Sequence, residues 1–477
     1  MTITNESGRF LLHQPEEALP PVGQAGSFAS YAKIVHYALP LVLSNSAGVI
    51  LQFIDRMFLA WHSPESMAGA GAAGMIAICF VSFASVTTSF TSVFAAQYMG
   101  AGRPRRLGPA VWQGWYLSLA FGLATFLLSF TARPLFDWIG HGAAVRAAEI
   151  EYFKAFMQGG IAFMLTGALM GFFMGRGDNK VVMLAQIGGI VVNTILDYAM
   201  IFGRLGFPEW GVAGAAWATI ASQVFAFLFA LCLFWRESHR RHFATWDGCG
   251  FEAALCRRIL RYGAPSGLRA IIELVMWSVF LGLIGLLGDR ELAASNVAFT
   301  INSLAWQPMI GVSMAVAMLV GKAQGAERPD LSRIAMWRGL MMTQVWETLA
   351  AVAFIIFPDF FLGLFFGPET AGRAALMAEG RTLLWFVAAY CLVDGVNVVF
   401  AQGLIGAGDS WWTSKATFVL SALAIGAMVL LGRAGAGLAS FWLVATLYVA
   451  ASGLAWLWRY RSGRWEHMKV VETVVVE

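Results

Sequence analysis

Apolar runs about 20 residues long recur along this chain from near its start to near its end, and no other feature constrains the fold as much. A helix needs ~20 apolar residues to cross ~30 Å of hydrocarbon. Twelve such runs can be read, at roughly 34–60, 67–98, 108–130, 147–173, 181–202, 212–235, 262–287, 292–320, 335–357, 376–405, 412–431 and 438–458. Of the 477 residues, 58% are hydrophobic and only 13% charged, with a mean hydropathy of +0.67; a soluble fold of this length would need far more polar surface. A transmembrane barrel is excluded, because its strands would alternate polar and apolar residues with period two. The expected fold is all-α and polytopic, with twelve transmembrane helices.

Charge in the connections orients the spans. With the N-terminus inside, 22 of the 32 lysines and arginines fall in cytoplasmic segments and eight in external ones, leaving Arg56 and Arg269 within spans. Cytoplasmic loops of membrane proteins carry the excess of Lys and Arg, so both termini are expected in the cytoplasm of a bacterial inner membrane. The basic run Arg236–Arg241 then reads as a topological anchor between two halves, with no need of a nucleic-acid partner. The resulting organisation is a cytoplasmic tail (1–30), an N-lobe of six helices (31–235), a cytoplasmic connection (236–258), a C-lobe of six helices (259–458) and a second tail (459–477). Residues 1–30 lack a signal-peptide core. The five cysteines (79, 232, 249, 256 and 391) avoid the external loops, which argues against a structural disulfide. A zinc site at Cys249 and Cys256 would lack further ligands at the usual spacing.

The two halves repeat one another. Pro40 begins span one as Pro265 begins span seven, and Gly100-Ala101 ends span two as Gly325-Ala326 ends span eight; each proline-to-glycine separation is 60 residues. Gly175-Arg-Gly177-Asp178 and Gly406-Ala-Gly408-Asp409 end spans four and ten. Because each half has six spans, both enter from the same side. Their pseudo-two-fold axis therefore lies along the membrane normal, and a site is expected between them.

Against this apolar background stand Asp55, Glu273 and Asp394. An ionisable side chain at membrane depth costs at least ~2.5–3.5 kcal/mol on insertion scales and by default marks a pathway, a relay or a partner. Asp55 lies ~22 Å along its helix from Pro40, and Asp197 reaches a similar depth on span five, with Asn193 one turn away on the same face. Three oxygen-bearing side chains at one depth can hold a small cation or share a proton. Glu273 lies ~12 Å beyond Pro265; Asp394 is near mid-depth, with Asn397 three residues on as a candidate co-ligand. Asp178 and Asp409 follow glycines at span ends and read as turn or cap residues that Asn could replace. Glu347, in the middle of span nine, receives no assignment.

The ordered set of motifs resembles the multidrug and toxic compound extrusion (MATE) family of secondary transporters, over about Ile34 to Trp458. It is carried by Leu39-Pro40 and Gln52-Phe-Ile-Asp55-Arg-Met-Phe-Leu-Ala60, Gln97-Tyr-Met-Gly100-Ala101, Gly175-Arg-Gly177-Asp178-Asn179, Asn193-Thr-Ile-Leu-Asp197-Tyr and Gly211-Val-Ala-Gly214-Ala-Ala-Trp-Ala-Thr219. In the second half it is carried by Gly263-Ala-Pro265, Glu273, Asp394 and Gly406-Ala-Gly408-Asp409. The resemblance implies two six-helix lobes about a V-shaped cavity and export of amphipathic organic cations in exchange for H⁺ or Na⁺. It matches Asp55, Asn193, Asp197 and Thr219 to an N-lobe polar cluster. Glu273 and Asp394 match the C-lobe acidic pair of the sodium-coupled, NorM-type branch, a candidate Na⁺ site. Two departures are Ala60, often glycine in the family, and Arg56 directly after Asp55, a potential counter-charge. No cofactor beyond the coupling ion is implied, and the reading is of a monomer in contact with membrane lipid.

Three alternatives compete with this reading. A lipid-linked oligosaccharide flippase of the same superfamily would need a basic cavity, whereas the intramembrane charge here is mainly acidic; Arg56 and Arg269 are the reservations. A membrane-embedded enzyme would need clustered catalytic chemistry, and all seven histidines lie in tails, in loops or near span ends. A receptor or structural role would leave the buried acids unexplained. The leading reading is a non-enzymatic antiporter, with Glu273 and Asp394 expected on neighbouring helices of one lobe and Asp55, Asn193 and Asp197 clustered in the other.

Overall fold

A computed structural model describes residues 25–367, 369 and 372–472. The expected N-terminal tail therefore falls almost wholly outside the described residues. Twelve helices are long and apolar enough to cross a membrane: α1 (Tyr31–His62), α2 (Pro64–Gly100), α3 (Pro104–Ser129), α4 (Ala143–Arg176), α5 (Asn179–Ile201), α6 (Gly211–Phe234), α7 (Ala253–Gly285), α8 (Asp289–Gly325), α9 (Pro329–Ile356), α10 (Arg373–Ala407), α11 (Ser410–Arg433) and α12 (Leu438–Arg461). The described residues contain no strand. Local chemistry sets many of the ends. Proline opens α2, α3 and α9, where its missing N–H would have no intrahelical partner anyway. At the ends of α4 and α10, Gly177 and Gly408 adopt φ of 92° and 102°, a left-handed cap that a β-carbon disfavours.

Helices overrun the apolar segments. α7 starts at Ala253, nine residues before the apolar run and ahead of the expected lobe boundary at 259, and α12 continues to Arg461. Hydropathy reads only the part that lies in hydrocarbon, whereas the backbone ladder continues through polar turns such as the one holding Arg257 and Arg258. The 236–252 connection is likewise structured. It contains a short helix, Glu237–Phe243, and is tied to α3 by Trp112 Nε1 donating to the Thr245 carbonyl (2.8 Å) and Gln113 Nε2 to that of Gly250 (2.9 Å). Arg106 grips the Glu252 carboxylate with two parallel bonds of 3.0 and 2.8 Å.

Helices α1–α6 and α7–α12 form two lobes that meet at the end of the molecule carrying the first and last described residues. The contacts across the junction are pseudo-symmetric: α1 packs on α8, and α7 on α2. The tightest approach uses the glycines of the internal repeat. A β-carbon on Gly100 would lie 1.8 Å from the Lys322 carbonyl oxygen, and one on Gly325 would lie 1.9 Å from that of Gln97. Only glycine lets the ends of α2 and α8 cross at this distance. Further along, Val42 and Asn45 of α1 meet Gly311 and Met314 of α8. Continuing those same faces at helical spacing leads to Val49, Gln52 and Phe53 on α1, and to Leu304, Thr300 and Asn296 on α8. All six are exposed. Polar side chains exposed at membrane depth face water or protein rather than lipid, so the lobes part here into a cleft open at the end away from the termini.

The chain's last described residues strap the closed end. Trp465 and Val470 are fully buried. The Val470 N–H donates to Gln97 Oε1 (2.8 Å), and Gln97 Nε2 donates in turn to the Gly406 carbonyl (3.1 Å). Tyr98 donates to the Glu472 carboxylate (2.8 Å), Arg103 to the Glu472 carbonyl (2.9 Å), and Arg258 pairs with Glu472 as well. Lys469 reaches Glu327 (2.5 Å) and Arg333 reaches Glu466 (2.6 Å). Residues 464–472 thus touch both lobes. Burial alone would push the Glu472 carboxyl up, but bonds from Arg258, the backbone and Tyr98 outweigh it and hold it below the usual glutamate range.

Candidate functional site

In the N-lobe the expected residues converge. Asp55 (α1), Asn193 and Asp197 (α5) and Thr219 (α6) come together because α5 packs on both α1 and α6. Asn193 and Asp197 have no solvent exposure, and Asp55 is half-buried. With its amide nitrogen toward the acids, Asn193 donates to Asp55 Oδ1 (2.8 Å) and Asp197 Oδ2 (3.0 Å). The Thr219 hydroxyl is 3.4 Å from Asp55 Oδ2 and 3.0 Å from the Ala215 carbonyl, one turn back on α6. The two carboxyls are also within hydrogen-bonding reach of each other. Two ionised carboxylates can only accept, so a bond between them requires one to carry a proton. Asp197 Oδ1 has no partner. Arg56 is exposed and makes no ion pair with Asp55 among the described residues. Tyr152 of α4 lies within electrostatic reach of both acids; as one tyrosine among many aromatics, it gave no signal in the sequence.

The C-lobe acids are arranged differently. Glu273 Oε1 accepts from Arg269 Nη2 at 2.7 Å, one turn back on α7. The Arg269 guanidinium also lies 5.7 Å from the centre of the Trp456 ring of α12. Trp456 Nε1 donates to Asn397 Oδ1 (2.7 Å), and Asn397 Nδ2 donates to Asp394 Oδ1 (2.9 Å). A chain of contacts therefore runs Glu273–Arg269–Trp456–Asn397–Asp394, crossing from α7 to α10 through α12. The expectation of neighbouring helices needs correcting: α7 packs along α2 and α11, while α10 packs along α8, α9 and α12. Bulky Trp456 holds the two acids' helices apart, yet Asp394 still feels the charge of Glu273. The i, i+4 spacing of Arg269 and Glu273 was a readable signal for their pair. Among the described residues no three His, Cys, Asp or Glu side chains converge as a metal site.

Asp178 and Asp409 also differ from expectation. Neither side chain caps its helix. Asp178 accepts from Arg176 Nη2 (3.2 Å). Asp409, 4% exposed, pairs with the buried Arg459 of α12 at 2.6 Å. The left-handed glycines already turn the chain, which frees both acids for ion pairs.

Two six-helix lobes around a cleft, with acids set in each lobe, define the class as a membrane-embedded secondary transporter. The chain belongs to the MatE family, whose profile matches residues 40–199 and 265–431. It is 29% identical over 398 residues to a probable multidrug resistance protein NorM of Xanthomonas axonopodis pv. citri, covering 82% of this chain and 84% of that one. It is 25% identical over 439 residues to a protein of the same description from Synechococcus sp., covering 91% and 94%. Among solved structures it superposes with a TM-score of 0.81 on a multidrug resistance MATE family transporter of the MOP superfamily in an outward-facing conformation, at 20% identity over 94% of this chain and 99% of that one. It superposes equally, at 0.81 and 21% identity, on a MATE in the straight conformation, over 94% and 100%.

Proposed function

We propose that this protein is a proton-coupled antiporter of the bacterial inner membrane that exports amphipathic organic cations, with both termini in the cytoplasm. The observation that carries the reading is the Asp55–Asn193–Asp197 cluster. It has room for one shared proton, and that proton competes with a positively charged substrate for the same oxygens. In the conformation described, the lobes are closed at the terminal, cytoplasmic end and open outward. A proton entering from outside neutralises the acids, weakens their hold on the cation and releases it. Rocking of the lobes then carries the proton inward. Aromatic side chains along the cleft, such as Phe53, supply the apolar and cation–π surface that a lipophilic cation needs.

The C-lobe supports H⁺ over Na⁺. A Na⁺ ion at Glu273 would have to share that carboxylate with a guanidinium 2.7 Å away, and repulsion between the two cations opposes it. The same pair weakens the flippase reading, because Glu273 neutralises Arg269 and leaves Arg56 as the one intramembrane arginine of the sequence reading without an acid partner. The test is ethidium efflux from proteoliposomes under an imposed pH gradient or Na⁺ gradient, each applied alone. Efflux is expected with the pH gradient only; efflux with the Na⁺ gradient alone would overturn proton coupling.

A further inference from the structure

Glu347 sits in the middle of α9, and the mechanism above does not use it. Its side chain is 1% exposed. Among the described residues its Oε1 has no hydrogen-bond partner, and neither has the hydroxyl of Tyr390, itself buried beside it. The Cys391 thiol is within hydrogen-bonding reach of the carboxyl and also 3.8 Å from Asn302 Oδ1. Every group that faces Glu347 is neutral or acidic. α10 presents Tyr390, Cys391 and Asp394, and α8 sets the neutral Asn302 against Cys391. Charged groups on α9 itself and just past its end are turned to other partners. Arg338 is bonded to the Ala29 carbonyl ~13 Å along the helix, and Asp359, ~18 Å the other way, is paired with Arg381. Glu273 has its arginine and Asp409 has its own; Glu347 has no ion pair among the described residues.

An ionised carboxylate with no counter-charge, sealed in a low-dielectric interior, is among the most unfavourable arrangements in a protein, and the group neutralises instead. We infer that Glu347 carries a proton in this outward-open conformation and is a further coupling acid, exchanging that proton with Asp394 during the transport cycle. The transfer balances: Glu347 gives up H⁺ and becomes a carboxylate, while Asp394 accepts it and becomes neutral. Total charge in the lobe is conserved, but the proton moves to Asp394 and its Asn397–Trp456 contact, and the negative charge moves away from that contact to Glu347. The unpartnered Tyr390 hydroxyl and the Cys391 thiol are then the donors available to the newly formed Glu347 anion. Proton occupancy at Glu347 thus reports on, and biases, the packing of α9 against α10.

This inference rests on the proton-coupled reading, and the experiment separates the two. Infrared spectra of the full-length protein in lipid are compared between wild type and Glu347→Gln, alongside efflux driven by a pH gradient. The wild type is expected to show a protonated-carboxyl carbonyl band at neutral pH that is missing from Glu347→Gln. The variant is expected to bind ethidium as wild type does, but to lose gradient-driven efflux and the pH dependence of its rate. If Glu347→Gln fails to fold, Glu347→Asp keeps the acid and shortens its reach by one methylene; the band must then persist, displaced, while the rate falls. An unchanged band, or a wild-type pH profile in either variant, overturns the role of Glu347. Wild-type efflux that ignores the pH gradient overturns the coupling reading instead.

Discussion

Replacing Gly325 with alanine places a methyl group where the ends of α2 and α8 cross. The new carbon would sit 1.9 Å from the Gln97 carbonyl oxygen and 2.7 Å from its carbonyl carbon, against an ordinary contact of 3.4–4 Å. The opposing atoms are backbone and cannot rotate away, so the two helix ends must part by about 1.5 Å. Overpacking of this kind costs about 1–3 kcal/mol, and here the cost falls on the conformation closed at this end. At about 1.4 kcal/mol per tenfold, the equilibrium between closed and open arrangements shifts about 5- to 150-fold toward opening. Gly100→Ala, facing the Lys322 carbonyl at 1.8 Å, should act in the same direction. The assay is double electron–electron resonance between spin labels at the exposed positions Arg105 and Glu327, in a background free of the five native cysteines. Longer distances should gain population in both alanine variants and not in Gly48→Ala, where a β-carbon meets nothing within 4 Å. A folded Gly325→Ala protein with the wild-type distance distribution would refute the idea that this crossing sets the closed state.

Other outcomes follow from the same contacts. Asp55→Asn and Asp197→Asn should each abolish pH-gradient-driven efflux while the protein still inserts and folds, since the amide keeps the size but cannot exchange a proton; transport assays on purified, correctly folded variants decide this. Asp409→Asn should lower stability by about 3–5 kcal/mol, because Arg459 is left as an uncompensated buried charge, and thermal unfolding in detergent should show it clearly below Asp178→Asn. Glu472 is held below its ordinary value, so its contribution to the strap is complete above about pH 4.3 and disappears as pH falls through the depressed value. Hydrogen exchange across residues 465–472 should therefore accelerate only in acid, and Glu472→Gln should show that fast exchange already at neutral pH.

The twelve spans were legible because hydrocarbon thickness imposes a length and a polarity that no other solvent imposes. The N-lobe cluster was legible for a related reason: helical rise converts residue counts into depth, and Asp55, Asn193 and Asp197 came out level. What depth cannot supply is rotation about each helix axis. Asp409 and Arg459 are 50 residues apart and lie on different helices, so their pair was invisible, and a capping role filled the gap. Glu347 was visible as a mid-span acid, but Cys391 and Tyr390 reach it from α10, far along the chain. Trp456 was one tryptophan among 19, and nothing in the sequence marked it as the spacer between α7 and α10.

The strap at the closed end has a consequence for how the protein is made. Val470 and Glu472 leave the ribosome after the twelve described spans, yet they fill a space that α2, α3, α7 and α10 surround. Until they arrive, Gln97 Oε1 lacks the Val470 N–H, and the lobes are joined by the α1–α8 and α2–α7 packing and the glycine crossings without the strap. Synthesis of residues 464–472 and closure of the inner end are therefore one event. A nascent protein that stops before residue 464 holds its lobes ajar at this end, so it should be recognisable to membrane quality control as unfinished, although the twelve described helices are in place.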